Sequence, residues 1–268
     1  MKLDSFFATH PVFSFDEAVK SLGDTKNRRG MVDRLKYHVA NRRLKQVTRG
    51  IYAVVAPPGL NPDSFRPDPF LVGMSLRSDG IFSHHSALEL LGASHTVRSS
   101  VTLYSARRRK AVNADGIQYT IRVHPPEMID QKRKPVGTRR VERGGQVLLT
   151  TGPERTLVEG FRRPVLVGGL EELVNSAGGF PVLDLRLLEQ VLERFGTARL
   201  WGAVGWFLER FRMEFHVPDE LLQSFERRKP TVPQYADRSS RGGSQVKRWN
   251  LILPSSLANM STPDEPQS

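Results

Sequence analysis

Apolar residues recur at helical spacing near the start of the chain, and the positions between them are mostly polar. Within residues 25–41 the apolar positions follow every three or four residues, as the packed side of an α-helix requires: Met31, Val32, Leu35 and Val39. The opposite side is polar and mostly basic: Lys26, Arg29, Asp33, Lys36 and Tyr37. This pattern predicts a helix with one packed face and one face open to solvent.

A shorter helix is predicted just before this one. Ser14 and Glu17 have the three-residue spacing of a capping box, in which each side chain accepts a hydrogen bond from the other residue's backbone. Gly23 ends the apolar pattern of this helix, so the turn between the two helices falls near residues 23–26. The two segments together predict a helix-turn-helix.

A hairpin is predicted after the second helix. Residues 44–47 and 51–55 favour strands, and the turn between them carries Arg49 at its tip. A helix-turn-helix followed by a basic hairpin is typical of a winged helix-turn-helix, in which the hairpin is the wing. The sequence therefore predicts an N-terminal winged helix-turn-helix.

The positive charge of the chain is concentrated in this segment. The net charge is +12, and residues 25–50 contain nine Lys or Arg against one acid, Asp33. Such a concentration of charge favours a polyanionic partner, and double-stranded DNA fits the predicted fold. The residues predicted to bind nucleic acid are Lys26, Arg28, Arg29, Arg34, Lys36, Tyr37, Arg42, Arg43, Lys45 and Arg49. The alternative is a basic helix face that is merely solvated.

The rest of the chain favours a larger α+β domain. A run rich in Pro and Gly over residues 56–69 breaks both helix and strand, which predicts domains over 1–56 and 57–254. Helices are predicted over 69–77, 83–91, 153–161, 169–177, 184–195 and 197–212, and strands over 101–104, 117–123, 147–150 and 249–253. Residues 255–268 are rich in Ser, Pro and acids and are predicted to be a disordered tail. The expected fold class is α+β, ending in a mostly helical region.

Composition excludes several kinds of site. The 268-residue chain has no cysteine, which excludes disulfides, thiolate zinc sites and cysteine nucleophiles. Its start lacks the features of a signal peptide, and its longest apolar run is far shorter than the roughly 20 residues of a membrane span. We therefore expect a cytoplasmic protein without a membrane partner.

Enzyme motifs are absent from the sequence. It contains no G-x-x-x-x-G-K-[ST], G-x-G-x-x-G, G-x-S-x-G or H-E-x-x-H segment. Three polar pairs each have a structural explanation: His84-His85, Glu154-Arg155 and Glu171-Glu172. Adjacent residues of a helix point about 100° apart, so His84 and His85 cannot easily bind one metal ion. Acids are favoured in the first turn of a helix, which explains Glu154, Glu171 and Glu172. Ser83 is expected to be an N-cap and Arg155 to pair internally, so we expect no catalytic residue, metal or cofactor.

A second basic region follows in the strand-rich part of the chain. Residues 98–143 contain twelve Lys or Arg against four acids. These cations could extend a nucleic-acid footprint, meet an acidic partner, or simply be solvated at loop tips. The sequence leaves these three possibilities open.

Six short motifs suggest a family. They are His10-Pro11-Val12-Phe13, Arg49-Gly50-Ile51-Tyr52, Phe82-Ser83-His84-His85-Ser86-Ala87-Leu88-Glu89-Leu90-Leu91-Gly92, Glu154-Arg155-Thr156-Leu157-Val158-Glu159, Gly168-Gly169-Leu170-Glu171-Glu172 and Arg248-Trp249-Asn250-Leu251. In these motifs and in their order, the chain resembles the AbiEi-type antitoxins of bacterial type IV toxin–antitoxin systems over nearly its whole length. Glu159 departs from the resemblance, because that family's E-R-T-L-V-D motif has Asp at this position.

The resemblance implies two roles. It implies a winged helix that represses its own operon, and a C-terminal α+β domain that neutralises a nucleotidyltransferase toxin encoded next to it. Two other functions remain open. One is a nuclease brought to DNA by its basic domain, although no D…E-x-K set of metal-binding residues is present. The other is a plain winged-helix transcription factor whose second domain senses a ligand or dimerises.

Overall fold

The N-terminal segment combines three helices with a small antiparallel sheet. The structure, a computed structural model, describes residues 3–107, 110–237 and 242–259. Its first elements are α1 (Leu3–Thr9), β1 (Val12–Ser14), α2 (Phe15–Ser21), α3 (Arg28–Ala40), β2 (Leu44–Thr48) and β3 (Ile51–Val54). The sheet has the order β1-β3-β2. This order of elements is that of a winged helix-turn-helix, with α2 and α3 as the two helices and β2–β3 as the wing.

Local sequence chemistry explains where these helices begin and end. Ser14 and Glu17 form the predicted capping box, with both hydrogen bonds present. Gly23 follows α2 with a φ of +74°, a left-handed conformation that favours glycine. Asn27 then caps α3 by accepting a hydrogen bond from the Gly30 backbone N–H at 3.0 Å. The predicted helix-turn-helix and its turn are confirmed.

A buried apolar cluster holds the winged segment together. Its members come from all three helices and two strands: Phe6, Phe7, Phe13, Ala18, Val19, Met31, Leu35 and Leu44. Helix α1 was not predicted from the sequence, yet it supplies Phe6 and Phe7 to this core. The rings of Phe6 and Phe13 meet edge-on at 4.9 Å between centroids. The winged segment therefore depends on α1 as well as on the helices that the pattern predicts.

A six-stranded sheet and a further helix follow. They are α4 (Pro69–Leu76), β4 (Ile81–Phe82), β5 (Ser100–Ser105), β6 (Val112–Ala114), β7 (Ile117–Val123), β8 (Thr138–Arg143) and β9 (Gln146–Thr151). The strand order is β6-β7-β5-β4-β9-β8. Strands β5 and β7 are parallel, whereas β6 with β7 and β4 with β5 are antiparallel. The three strands predicted here are confirmed; β4, β6 and β8 were not predicted.

The remaining elements are mostly helices around a large apolar core. The helices are α5 (His85–Leu90), α6 (Pro153–Arg162), α7 (Leu170–Gly178), α8 (Leu185–Phe195), α9 (Ala198–Arg210), α10 (Asp219–Arg227) and α11 (Ser255–Ala258). A small sheet has the order β10-β12-β11, from β10 (Gln234–Tyr235), β11 (Ser244–Val246) and β12 (Leu251–Leu253). The fold class is α+β, as predicted.

The compact units of the chain do not follow the predicted domain ranges. The first unit comprises Met1–Phe82, Arg98–Val123 and Arg140–Leu149, and the second comprises Ser83–Val97, His124–Arg139 and Thr150–Ser268. Within the first unit, α4 packs on β1, directly after the Pro-rich segment. The side-chain amide of Gln146 also donates to the Thr9 carbonyl at 2.8 Å. The prolines therefore end strand and helix locally but do not separate the winged segment from the sheet.

The end of the chain also differs from its prediction. The tail was expected to be disordered from residue 255, but Ser255–Ala258 form α11, and Leu257 is buried against the second unit's core. The rest of the predicted tail, residues 260–268, lies outside the described residues. In the part of the chain that is described, none of the helices has both the length and the apolar character needed to cross a membrane.

Candidate nucleic-acid interface

Helix α3 presents one apolar and one polar face, as its sequence predicts. Met31 and Leu35 are fully buried, and Val32 and Val39 are half-buried. Arg29, Lys36 and Tyr37 project from the opposite side, and Tyr37 keeps 65% of its surface exposed. The predicted division of the helix into a packed and an open face is confirmed.

His38 belongs to the core of this segment, which the sequence interpretation missed. It is 8% exposed, and its ring meets that of Phe7 edge-on at 5.2 Å. Burial lowers the pKa of His38, and the Arg43 guanidinium lowers it further. The spacing 31, 35, 38 is the i, i+4, i+7 spacing of a buried helix face, so periodicity alone could have placed His38 in the core.

Three of the predicted cations are held by carboxylates from neighbouring elements. Arg28 at the start of α3 donates to Asp16 of α2 at 2.7 Å, and its guanidinium lies 4.9 Å from the centroid of the Phe15 ring. Arg43 donates to Asp4 of α1 at 2.6 Å, which lowers the pKa of that carboxyl group. The third pair joins Arg34 to Asp24 in the turn between α2 and α3.

These three ion pairs link α3 and its C-terminal end to α1, α2 and the turn. Exposed pairs of this kind contribute little to stability, because solvent screens them. Their effect is mainly geometric, because each pair holds a guanidinium against a carboxylate of a neighbouring segment. The charges of Arg28, Arg34 and Arg43 are therefore partly neutralised where a ligand would meet them.

The other predicted cations stay uncompensated. Within the described residues, no carboxylate lies within ion-pair distance of these five side chains, and all five are exposed: Lys26, Arg29, Lys36, Arg42 and Arg49. Arg29 and Lys36 lie on the open face of α3, and Arg49 lies in the turn between β2 and β3. Gly50 completes that turn with a φ of +77°. Uncompensated charge on a protruding helix and hairpin attracts polyanions.

Lys45 is a correction to the predicted set. Its ammonium donates to Asp115 and to the Phe65 carbonyl, both at 2.7 Å, and its side chain is only 15% exposed. It therefore ties the wing strand β2 to the β6–β7 turn within the first unit. The charge count in the sequence could not reveal this, because Asp115 lies 70 residues further along the chain.

The residues of the second basic region are divided between the two units. Arg143 donates to Asp68 at 2.6 Å and stacks over the Phe70 ring at 4.6 Å, which makes it part of the packing around α4. Arg107 and Lys110 are exposed, and Arg108 and Arg109 lie outside the described residues.

The motif residues of α6 form a buried polar cluster in the second unit. Arg155 and Glu159 form an ion pair at 2.8 Å, and each side chain is at most 1% exposed. Arg155 also donates to the Val136 carbonyl at 2.8 Å. The expectation that Arg155 pairs internally is confirmed. Arg155 and Glu159 are four residues apart on α6, so they lie on the same side of the helix, and the Glu159 side chain reaches the guanidinium.

Glu154 and Glu172 are also held by hydrogen bonds inside the second unit. Glu154 is fully buried at the start of α6 and accepts from the Asp184 backbone N–H at 2.9 Å. Glu172 accepts from Ser176 at 3.0 Å, and its carboxylate lies 3.6 Å from the imidazole of His85. In the described part of the chain, no group of three or more His, Cys, Asp or Glu residues could hold a metal ion.

The prediction that Ser83 caps α5 is wrong, because the N-cap residue is His84. The hydroxyl of Ser83 instead lies 3.0 Å from Nδ1 of His84. His84 is fully buried with a φ of +56°, a conformation that non-glycine residues rarely adopt and that costs of order 1–3 kcal/mol. Burial, followed by the nearby Arg163 guanidinium, lowers the pKa of His84 to about 3.

The neutral state of His84 predicts an acid-sensitive second unit. Because the folded pKa lies below the unfolded value of about 6.5, the unfolded chain takes up this proton first as pH falls. Between pH 7 and pH 5 the free energy of unfolding should drop by about 2 kcal/mol from His84 alone. We expect His84→Asn, which carries no titrating group, to remove most of this dependence in urea titrations at the two pH values. An unchanged dependence in the variant would contradict the assignment.

The fold thus defines an α+β protein with an N-terminal winged helix-turn-helix and an open basic helix face. No family model matches the chain, and a search of the curated proteins gives no significant match. Among solved structures, it is similar to the RV2827C protein from Mycobacterium tuberculosis, with a TM-score of 0.58 and 16% sequence identity. The similarity covers 93% of this chain and 89% of that one, and it shows a shared fold.

Proposed function

We propose that this protein is a DNA-binding transcriptional repressor, with α3 in the major groove and the β2–β3 wing on the adjacent backbone. One observation carries the proposal: uncompensated cations occupy the open face of α3 and the tip of the wing. Arg29 and Lys36 are long enough to reach base edges, and Tyr37 lies beside them. Arg49 contacts phosphates or the neighbouring minor groove.

Autorepression can be tested with a reporter gene behind the DNA that precedes the protein's own gene. The wild-type protein should repress it, and the triple variant Arg29→Ala, Lys36→Ala, Arg49→Ala should not. A matched control removes three exposed cations of the second unit: Arg186, Arg227 and Lys247. The control should repress like the wild type. If both triple variants repress the reporter as strongly as the wild type, α3 and the wing are not the DNA-binding surface.

We further propose that the protein is the antitoxin of a nucleotidyltransferase toxin. This half rests on the resemblance to AbiEi-type antitoxins, whose motifs include Arg155 of α6 and the start of α7. In this chain Arg155 pairs with Glu159, at the position where the family has Asp. Co-expression with a nucleotidyltransferase gene adjacent to its own should restore growth. The triple variant of α3 and the wing should also restore it. If the folded, abundant wild-type protein does not restore growth, the antitoxin role is excluded.

A ligand-responsive regulator is the second candidate, and one cavity favours it. A space of about 340 Å³ lies between α2 and α4 within the first unit, with Asp16, Lys20 and Met74 among its lining residues. Asp16 also holds Arg28 of α3, so a molecule bound there would act on the basic helix. A metabolite that raises the melting temperature and changes DNA affinity would support this candidate. A nuclease would instead cleave DNA in the presence of Mg²⁺ or Mn²⁺.

A further inference from the structure

Helix α3 carries a single carboxylate, and it lies at the centre of the open face. At about 100° per residue, Asp33 points about 170° away from the mean direction of Met31, Leu35 and His38. Arg29 and Lys36 lie within about 60° of it on the same face. Asp33 is therefore the charged side chain of α3 that is directed most nearly opposite to the core.

Asp33 differs from the other acids around the helix-turn-helix. Asp4, Asp16 and Asp24 each hold an arginine of the basic segment. Within the described residues, Asp33 is exposed and has no cation within ion-pair distance, although Arg29 and Lys36 lie one helical turn away on either side. In the part of the chain that the structure describes, its carboxylate takes part in no hydrogen bond or ion pair of the fold.

A carboxylate at this place opposes binding to any phosphate backbone. Pointing into the major groove, it faces two strands of negative charge, and this weakens contact with DNA of arbitrary sequence. This electrostatic repulsion is offset where a base edge in the groove donates a hydrogen bond to the carboxylate. Among base edges in the major groove, cytosine N4 is the donor that Asp and Glu characteristically accept from.

We propose that Asp33 is a specificity-determining residue, which selects a cytosine in the operator and disfavours other DNA. This inference rests on the proposed DNA-binding function. Arg29, on the same face, would contact a guanine close to that cytosine through O6 and N7. The cations of α3 and the wing then supply affinity for any duplex. Asp33 lowers the affinity for DNA without the cytosine more than it lowers the affinity for the operator.

The proposal predicts a defined change of base preference. Asp33→Ala should bind random-sequence DNA roughly threefold more tightly, because one negative charge leaves the groove. Its preference for cytosine at one position should fall by about tenfold. Asp33→Asn should move the preference at that position from cytosine to adenine, because an amide pairs with adenine N6 and N7.

The experiment uses the full-length protein and a pool of 30-base-pair duplexes with a randomised centre. Bound duplexes are sequenced after selection with the wild type, Asp33→Ala, Asp33→Asn and the charge-matched control Glu220→Gln, whose carboxylate is exposed on α10. The control should select the same sequences as the wild type. Far-UV circular dichroism confirms that each variant is folded.

The outcomes separate this inference from the function on which it rests. If the wild type selects no sequence and binds no duplex, the proposed function fails. If the wild type selects a defined sequence, and both Asp33 variants select the same one, Asp33 does not determine specificity and this inference is wrong. A loss of cytosine preference in Asp33→Ala, together with a gain of adenine in Asp33→Asn, supports it.

Discussion

Raising the salt concentration from 50 to 200 mM is expected to weaken the binding of this protein to duplex DNA roughly a thousandfold. The five uncompensated cations of α3, its flanks and the wing, with partial contributions from the paired arginines, would neutralise about six phosphates. Each neutralised phosphate releases counterions, and the affinity therefore falls steeply with salt. Fluorescence anisotropy with a labelled duplex at four salt concentrations gives the slope.

The same titration includes its own control. The variant Arg29→Ala, Lys36→Ala, Arg49→Ala should lower the slope of log affinity against log salt by about 0.9 or more, because the phosphate contact of Arg49 is lost together with two further cations of the interface. The control variant of Arg186, Arg227 and Lys247 should leave the slope unchanged. A flat salt response of the wild type would show that phosphate contacts do not drive binding.

Removing one partner of the buried ion pair in α6 should produce the largest loss of stability. Glu159→Ala leaves the guanidinium of Arg155 without its charge partner in a fully buried position. Such a change typically costs 3–5 kcal/mol. The free energy of unfolding can be followed through tryptophan fluorescence in urea, because the three tryptophans of the chain, Trp201, Trp206 and Trp249, are all buried in the second unit.

Two further variants make this prediction specific. Replacing both partners, Arg155→Met with Glu159→Leu, should recover part of the loss, because no buried charge then remains unpaired. Glu220→Gln, on the exposed surface of α10, should change stability by less than about 0.5 kcal/mol. If Glu159→Ala lowers the free energy of unfolding by less than about 1 kcal/mol, the Arg155–Glu159 pair does not stabilise α6 as predicted.

The sequence predicted the helix-turn-helix well because its determinants are local. The capping box of Ser14 and Glu17, and the apolar spacing of α3, act within a few residues, and both are present in the structure. The pattern missed α1, because its seven residues make only about two turns and repeat the apolar spacing too few times to stand out. It also missed α10, in which only Leu222 and Phe225 are buried.

Which cations are available to a ligand could not be predicted from the sequence. Arg43 is compensated by Asp4, 39 residues away, and Lys45 by Asp115, 70 residues away. These partners become neighbours only after folding, whereas the charge count treats all ten predicted residues alike. For the same reason, replacing Arg28 and Arg34 would perturb pairs to Asp16 and Asp24 as well as any DNA contact, so neither is the best site for a test of binding.

The most direct test of the central claim is a binding titration of the intact protein with a duplex from the region preceding its gene, at 100 mM salt. The wild type and the control variant of Arg186, Arg227 and Lys247 should bind with equal affinity. The variant Arg29→Ala, Lys36→Ala, Arg49→Ala should bind at least a hundredfold more weakly, because it loses both base and phosphate contacts. Equal affinities for all three proteins would contradict DNA binding through α3 and the wing.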